Sequence, residues 1–113
     1  MDCLFCKIIN KEIPSDIVYE DEDVLAFNDI DPKAPVHVLV IPKKHIASLN
    51  ELTEADSALL MKIMQVIQKI AQDKNIAQSG YRVVNNCGEQ GGQTVGHLHF
   101  HLLGGREMLW PAG

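Results

Sequence analysis

At 113 residues and 46% hydrophobic, the chain has room for one modest core, which excludes a disordered polymer and a deeply enclosed large ligand. A formal net charge of −5 with no basic run excludes a general nucleic-acid binder, though a local site can still hold a small anion. Apolar stretches such as Val38-Leu39-Val40-Ile41 are far too short to span a bilayer, Met1-Asp2-Cys3 opens no secretory signal, and an odd count of three cysteines suits a reducing, cytoplasmic setting.

Residues 4 to 10 can form a short helix, stopped before Pro14. Ile17 to Tyr19 and Val24 to Asn28 read as a hairpin turned by the acidic run Glu20 to Asp23. Asp29 to Pro35 holds two prolines and reads as a loop. His37 to Ile41 is a third strand, ended by Pro42. Thr53 is a candidate N-cap, with Glu54 and Asp56 in the first turn. Leu59, Leu60, Ile63, Met64, Val66, Ile67 and Ile70 then recur at helical spacing, giving one long helix to about Asp73. Tyr81 to Asn85 is a fourth strand, Cys87 to Gln93 a glycine-containing loop, and His97 to Leu103 a fifth strand ended by Gly104-Gly105. The expected architecture is α+β in a single domain over 1–113: an antiparallel sheet of about five strands, one long helix on one face and a short N-terminal helix.

The informative segment is His97-Leu98-His99-Phe100-His101-Leu102-Leu103. Side chains alternate across a strand, so the imidazoles share one face and Leu98, Phe100 and Leu102 the other. A strand rises about 3.3 Å per residue, which starts His97 and His101 about 13 Å apart. All three rings cannot readily meet one tetrahedral ion, so the histidines should divide their roles. Three of the chain's five histidines on one face point to a site rather than to scattered surface residues.

This run resembles the signature of the histidine-triad family. Phe5-Cys6-Lys7-Ile8-Ile9, Glu12-Ile13-Pro14, Phe27-Asn28-Asp29-Ile30, Ala34-Pro35-Val36-His37, Ile41-Pro42-Lys43-Lys44-His45-Ile46, Gly91-Gly92-Gln93-Thr94-Val95 and the ending from Leu103-Gly104-Gly105-Arg106 to Trp110-Pro111 are similar to its Hint branch. The resemblance covers nearly the whole chain. It implies hydrolysis of purine nucleoside 5′-phosphoramidates. His99 attacks the α-phosphorus, a nucleotidyl-histidine forms, an amine leaves, and water releases the nucleoside monophosphate. A backbone carbonyl in the motif fixes the tautomer of the nucleophile. His101 contacts the phosphate and helps protonate the leaving group, and His97 and Thr94 complete the catalytic group.

The same resemblance makes Asn86 a nucleotide contact, Asp29 the acceptor for the ribose hydroxyls, and Phe5, Ile8, Phe27 and Ile30 the walls of the base pocket. Read as residues alone, Asp29 is a turn residue near Pro32, and the four apolar side chains are simply core. Gly91 and Gly92 would let backbone N–H groups approach phosphate oxygens, and Gln93 and Thr94 could bond the phosphate or leaving group.

Cys3-Leu4-Phe5-Cys6 has the spacing of a metal-binding pair. Some family members complete a structural zinc site with histidines at the positions of His45 and His97, giving a closed Cys2His2 set. In members without the cysteines, the first triad histidine instead joins a relay with a histidine at the position of His37. Here His37 either serves His99 or lines the sheet, and Cys87 has no evident partner. The resemblance also implies a homodimer joined edge to edge, with the tail near Trp110 reaching the partner's site. Two other functions fit the same motif: hydrolysis of dinucleoside polyphosphates, and binding of nucleotides or partners without catalysis. Adenine or guanine preference and the physiological amine are not legible in the residues.

Overall fold

The computed structural model describes residues 3–113; Met1 and Asp2, on which the reading of no secretory signal partly rests, lie outside the described residues. The elements run α1 (Leu4–Ile9), β1 (Ile17–Glu20), β2 (Val24–Asn28), β3 (Val36–Pro42), α2 (Ser57–Asp73), β4 (Tyr81–Val84) and β5 (Phe100–Gly104). The sheet has five strands in the order β1-β2-β3-β5-β4, and every pairing is antiparallel. The first three strands form a meander. The chain then crosses the sheet as α2, lays β4 at the far edge, and returns β5 into the gap beside β3.

Alternation along the strands builds two cores at once. Val24, Ala26, Val38, Val40, Phe100 and Leu102 face one side and pack against Ile63, Val66, Ile67 and Ile70 of α2. Leu25, Phe27, Leu39 and Ile41 face the other side and pack against Phe5 and Ile8 of α1. The strand β3 is therefore buried on both faces, which is why it reads as a continuous apolar run.

Both helices stop by the same device. Asn75 adopts φ 62° after α2, its N–H bonds the Gln72 carbonyl, and the Ile76 N–H bonds that of Ala71. Lys11 adopts φ 63° after α1, with N–H bonds from Lys11 to Ile8 and from Glu12 to Lys7. These are Schellman closures in which a left-handed residue lets the chain satisfy the last carbonyls. Ile76 then packs on Gly104, where any Cβ would run into its side chain.

Several boundaries differ from the sequence reading, most by a single residue: α1 stops at Ile9, β1 runs on to Glu20, and β3 spans Val36–Pro42. A 3-10 turn, Glu54–Asp56, intervenes after Thr53, so α2 starts at Ser57; the buried Asp56 carboxylate accepts the Thr53 N–H at 3.1 Å and meets Lys44 Nζ at 2.7 Å. The strand β4 ends one residue earlier, at Val84. The ladder of β5 begins at Phe100, not at His97. Strand β3 runs on to Pro42, but its pairing with β5 stops at Val40 opposite Phe100, and the Leu98 N–H turns instead to the Ile46 carbonyl at 2.6 Å. The in–out alternation of the histidine segment nevertheless persists: Leu98, Phe100 and Leu102 belong to the α2-side core.

Candidate active site and metal-ligand cluster

The histidine segment splits where the ladder begins. His97 is fully buried, and its Nε2 donates to the Pro42 carbonyl at 2.8 Å. A neutral imidazole carries one N–H, so its Nδ1 keeps a bare lone pair. His99 does the reverse. Its Nδ1 lies 2.7 Å from the carbonyl oxygen of His97, which can only accept. The Nδ1 therefore holds the proton, and the Nε2 lone pair is free. Asn85 Nδ2 donates to the His99 carbonyl at 2.9 Å, bracing the backbone of that residue from the end of β4. Sequence reasoning missed Asn85, because nothing short of the β4–β5 register brings it beside His99.

His101 belongs to a second chain of bonds. Lys33 N–H donates to His37 Nδ1 at 3.0 Å, so the proton of His37 sits on Nε2 and points to His101 Nδ1 at 2.9 Å. That leaves Nε2–H of His101 as a donor. His37 thus serves His101, not His99. Burial pushes His101 down to about 4, helped by the positive charge that His99 and His37 would carry. Burial likewise lowers His37, with Lys33 adding to the effect and Asp29 opposing it. With both rings neutral, the site presents one bare imidazole nitrogen and one imidazole N–H side by side, their rings 5.2 Å apart.

Both rings line a pocket of about 280 Å³. Phe5, Ile8, Phe27, Asp29, Ile30 and Thr94 from the expected site share that lining, joined by Leu4, Ile13, Leu39 and Val95. Phe5 stands edge-on to His99 at 5.1 Å and to Phe27 at 5.6 Å, so one aromatic side chain fixes both the wall and the imidazole. Ile30 is 99% exposed and forms a lip rather than a wall. Asp29 plays the turn role and faces the site too: Oδ1 accepts the Asp31 N–H at 2.8 Å, and Oδ2 lies 3.4 Å from His37 Nε2.

The glycine loop is organised differently from the expectation. Gln93 Oε1 accepts the Gly88 N–H, and Nε2 donates to the carbonyls of Ala47 and Val95. The Gly92 N–H bonds the Glu89 carbonyl. Gln93 and Gly92 are spent holding the loop, and the pocket does not include them. Gly91 is required by close approach, since a Cβ there would strike the Cys87 carbonyl. Asn86 lines a second groove, shared with Thr94 and His101.

Behind His97 the two cysteines converge with two histidines. Cys3 caps α1 and Cys6 sits one turn on, so their side chains share one side of the helix start. His97 Nδ1 lies 3.5 Å from Cys3 Sγ, 3.6 Å from Cys6 Sγ and 3.2 Å from His45 Nδ1, and Cys6 Sγ lies 3.3 Å from His45 Nδ1. Around a tetrahedral ion with bonds of about 2.0–2.3 Å, donor atoms stand about 3.3–3.8 Å apart. The cluster can hold such an ion, and the Pro42 bond already aims the His97 lone pair at it. Burial, with the adjacent Cys3 thiol, pushes Cys6 up to about 11, so a bound cation must displace its proton. Asp29, His37 and His101 also converge, but the hydrogen bonds above occupy the ring nitrogens that face one another. Among the described residues, no helix is long and apolar enough to cross a membrane.

The chain is similar to known proteins over nearly its whole length. A family profile described as "Scavenger mRNA decapping enzyme C-term binding" matches residues 2–110. A HIT-like protein of Synechococcus elongatus is 54% identical over 99% of this chain and 97% of its own length. Another from Synechocystis is 50% identical over 99% and 97%. Among solved structures, a HIT family hydrolase from Legionella pneumophila superposes with a TM-score of 0.98 at 53% identity, covering 99% of this chain and 100% of that one. A histidine triad protein from Clostridium difficile gives 0.93 at 54% identity, covering 96% and 95%. With the triad, the sheet and these relatives in agreement, the chain belongs to the histidine-triad family of hydrolase-like proteins.

Proposed function

We propose that this protein hydrolyses purine nucleoside 5′-phosphoramidates through a covalent intermediate on His99. The observation that carries the reading is the bond from His99 Nδ1 to the His97 carbonyl, which leaves Nε2 bare beside an aromatic-walled pocket. The base would lie against Phe5, Ile8 and Phe27, with the ribose toward Asp29. The Nε2 lone pair forms a bond to phosphorus as the P–N bond breaks. The electron pair leaves with the amine nitrogen, which takes a proton from His101 Nε2–H, and that ring regains one from water. Water then attacks phosphorus, the pair of the P–Nε2 bond returns to His99, and the nucleoside monophosphate departs. The His101 N–H, oriented by the bond from His37, would meet the charge that develops at the phosphoryl group.

We read the Cys3, Cys6, His45 and His97 cluster as a structural zinc site in a cytoplasmic protein. Its spacing and its four protein donors suit a closed tetrahedral ion. Zinc bound there would tie the N-terminus to the segments after β3 and before β5. The second protomer of a homodimer has a natural seat on β4, a sheet edge on which Tyr81 and Val83 are exposed.

Mixing the purified protein with an adenosine phosphoramidate tests the reading. Monophosphate release that is lost in His99→Ala, and is slow from a diadenosine polyphosphate, supports it. Faster release from the polyphosphate supports the anhydride-cleaving alternative. Tight monophosphate binding with no release from either substrate overturns the hydrolase reading.

A further inference from the structure

The four donors of the thiol–imidazole cluster are held unequally. His97 is fully buried, and its ring is braced by the Pro42 carbonyl at 2.8 Å. The segment carrying His45 is tied to the segment carrying His97 by the bond from the Leu98 N–H to the Ile46 carbonyl, and Ile46 sits in the α2-side core. The protein alone therefore keeps the two imidazoles in place. Cys3 and Cys6 belong to α1, which is lightly anchored. It has six residues, against the roughly 12–15 that an isolated helix needs. Besides its N-cap Cys3, only Phe5 and Ile8 are buried.

The same helix is one wall of the pocket. Leu4, Phe5 and Ile8 line it from α1, and Phe27, Leu39 and His99 line it from the opposite side. Phe5 lies between the two cysteines in the chain and stands edge-on to His97 at 6.0 Å and to His99 at 5.1 Å. Lifting α1 off the sheet would open the pocket and part the thiols from the imidazoles in one movement. Two ligands would bias this element the same way: an ion grips Cys3 and Cys6, and a nucleotide base grips Phe5 and Ile8. Whichever binds first has already seated the helix for the other.

We propose that Cys3 and Cys6 are positioning residues for the nucleotide as well as metal ligands: a cation on the thiols seats α1, and Phe5 with it, so that metal and nucleoside monophosphate bind with positive cooperativity. The inference rests on the zinc and nucleotide-pocket readings above, and it does not require that the bound nucleotide be turned over.

The test is calorimetric titration with AMP of the zinc-loaded protein and of the same preparation stripped by a chelator under a non-thiol reductant. AMP should bind about tenfold more tightly with zinc present, within the usual range for two coupled sites. Zinc, measured by competition with a chromophoric chelator, should bind more tightly by the same factor when AMP saturates the protein. Cadmium, a soft cation, should restore tight AMP binding to the stripped protein, and magnesium should not. A tenfold effect corresponds to α1 seated in about one stripped molecule in ten. The amides of Lys7 and Asn10, which bond the Cys3 and Cys6 carbonyls, should then exchange hydrogen almost unprotected in the stripped protein while the core amides of α2 stay protected, and either AMP or zinc should slow them. AMP affinity indifferent to zinc, or α1 amides that exchange in step with those of α2, would overturn the proposal and leave both parent readings standing. A stripped protein that takes up no zinc would overturn the zinc reading, and absence of AMP binding to either form would overturn the nucleotide-pocket reading; each would take the proposal with it.

Discussion

The two faces of the sheet do different work with the same strands. Against α2 the strands present Val, Ala, Leu and Phe side chains that meet aliphatic residues, forming a dry core. Against α1 the same strands present Leu25, Phe27, Leu39 and Ile41, and beside them stand imidazoles and thiols. The α2 face holds the fold by area removed from water, which tolerates many aliphatic combinations. The α1 face holds directed bonds, each needing one atom in one place. The difference teaches that stability and chemistry can be separated by mutation even though the two faces share every strand of the central sheet.

The largest separation should come from His99→Ala. Phosphoramidate turnover should fall at least about 10³-fold, while the urea midpoint stays close to that of the parent protein. A matching loss of stability would show that the imidazole is part of the scaffold. The reverse separation is Ile70→Ala on the α2 face. It should cost about 2–5 kcal/mol in denaturant unfolding, with kcat of the folded fraction retained.

Cys6→Ser should cross the boundary between the faces. It removes one of four converging donors, so bound zinc measured by mass spectrometry should fall below one per chain, and the melting temperature should become insensitive to a chelator. A parent protein whose melting temperature ignores the chelator would mean that the cluster does not hold a structural ion. The smallest effect is that of pH. His101 titrates near 4 in the fold and at about 6.5 when unfolded, so the unfolded chain takes up the proton first as pH falls. Its contribution to stability is present above about pH 6.5 and fades between there and about pH 4. The urea midpoint should drop over that window, and His101→Gln should flatten the drop. Asp56, held below the usual carboxylate range by Lys44 and the Thr53 N–H, contributes at more acidic pH, which keeps the two effects apart.

Legibility followed the same division. Apolar periodicity located α2 and the strands, and the alternation from His97 to Leu103 told which side chains face the core, because those patterns are written into consecutive residues. What escaped depends on residues distant in the chain. The late start of β5 goes with the Leu98 N–H turning to the Ile46 carbonyl, 52 residues away in the chain. Gln93 is spent on Ala47, Val95 and Gly88 because of how the loop folds back, and no local cue distinguishes that from a phosphate contact. The partner of His37 is 64 residues away and became visible only once β3 lay beside β5. The four donors of the thiol–imidazole cluster were readable through family resemblance, whereas spacing alone marked only the two cysteines.

The bond that orients His99 ends on a main-chain oxygen of its neighbour. Every side-chain substitution at position 97 keeps that oxygen. A saturation scan of the gene would therefore register His97 through its imidazole alone and would miss its second contribution. The tautomer of His99 is thus guarded against point mutation by being written in the polypeptide backbone. Chemical synthesis offers a way to weaken it, since replacing the amide linking residues 97 and 98 by an ester makes that carbonyl a poorer acceptor with all side chains in place, though it also removes the Leu98 N–H that bonds the Ile46 carbonyl.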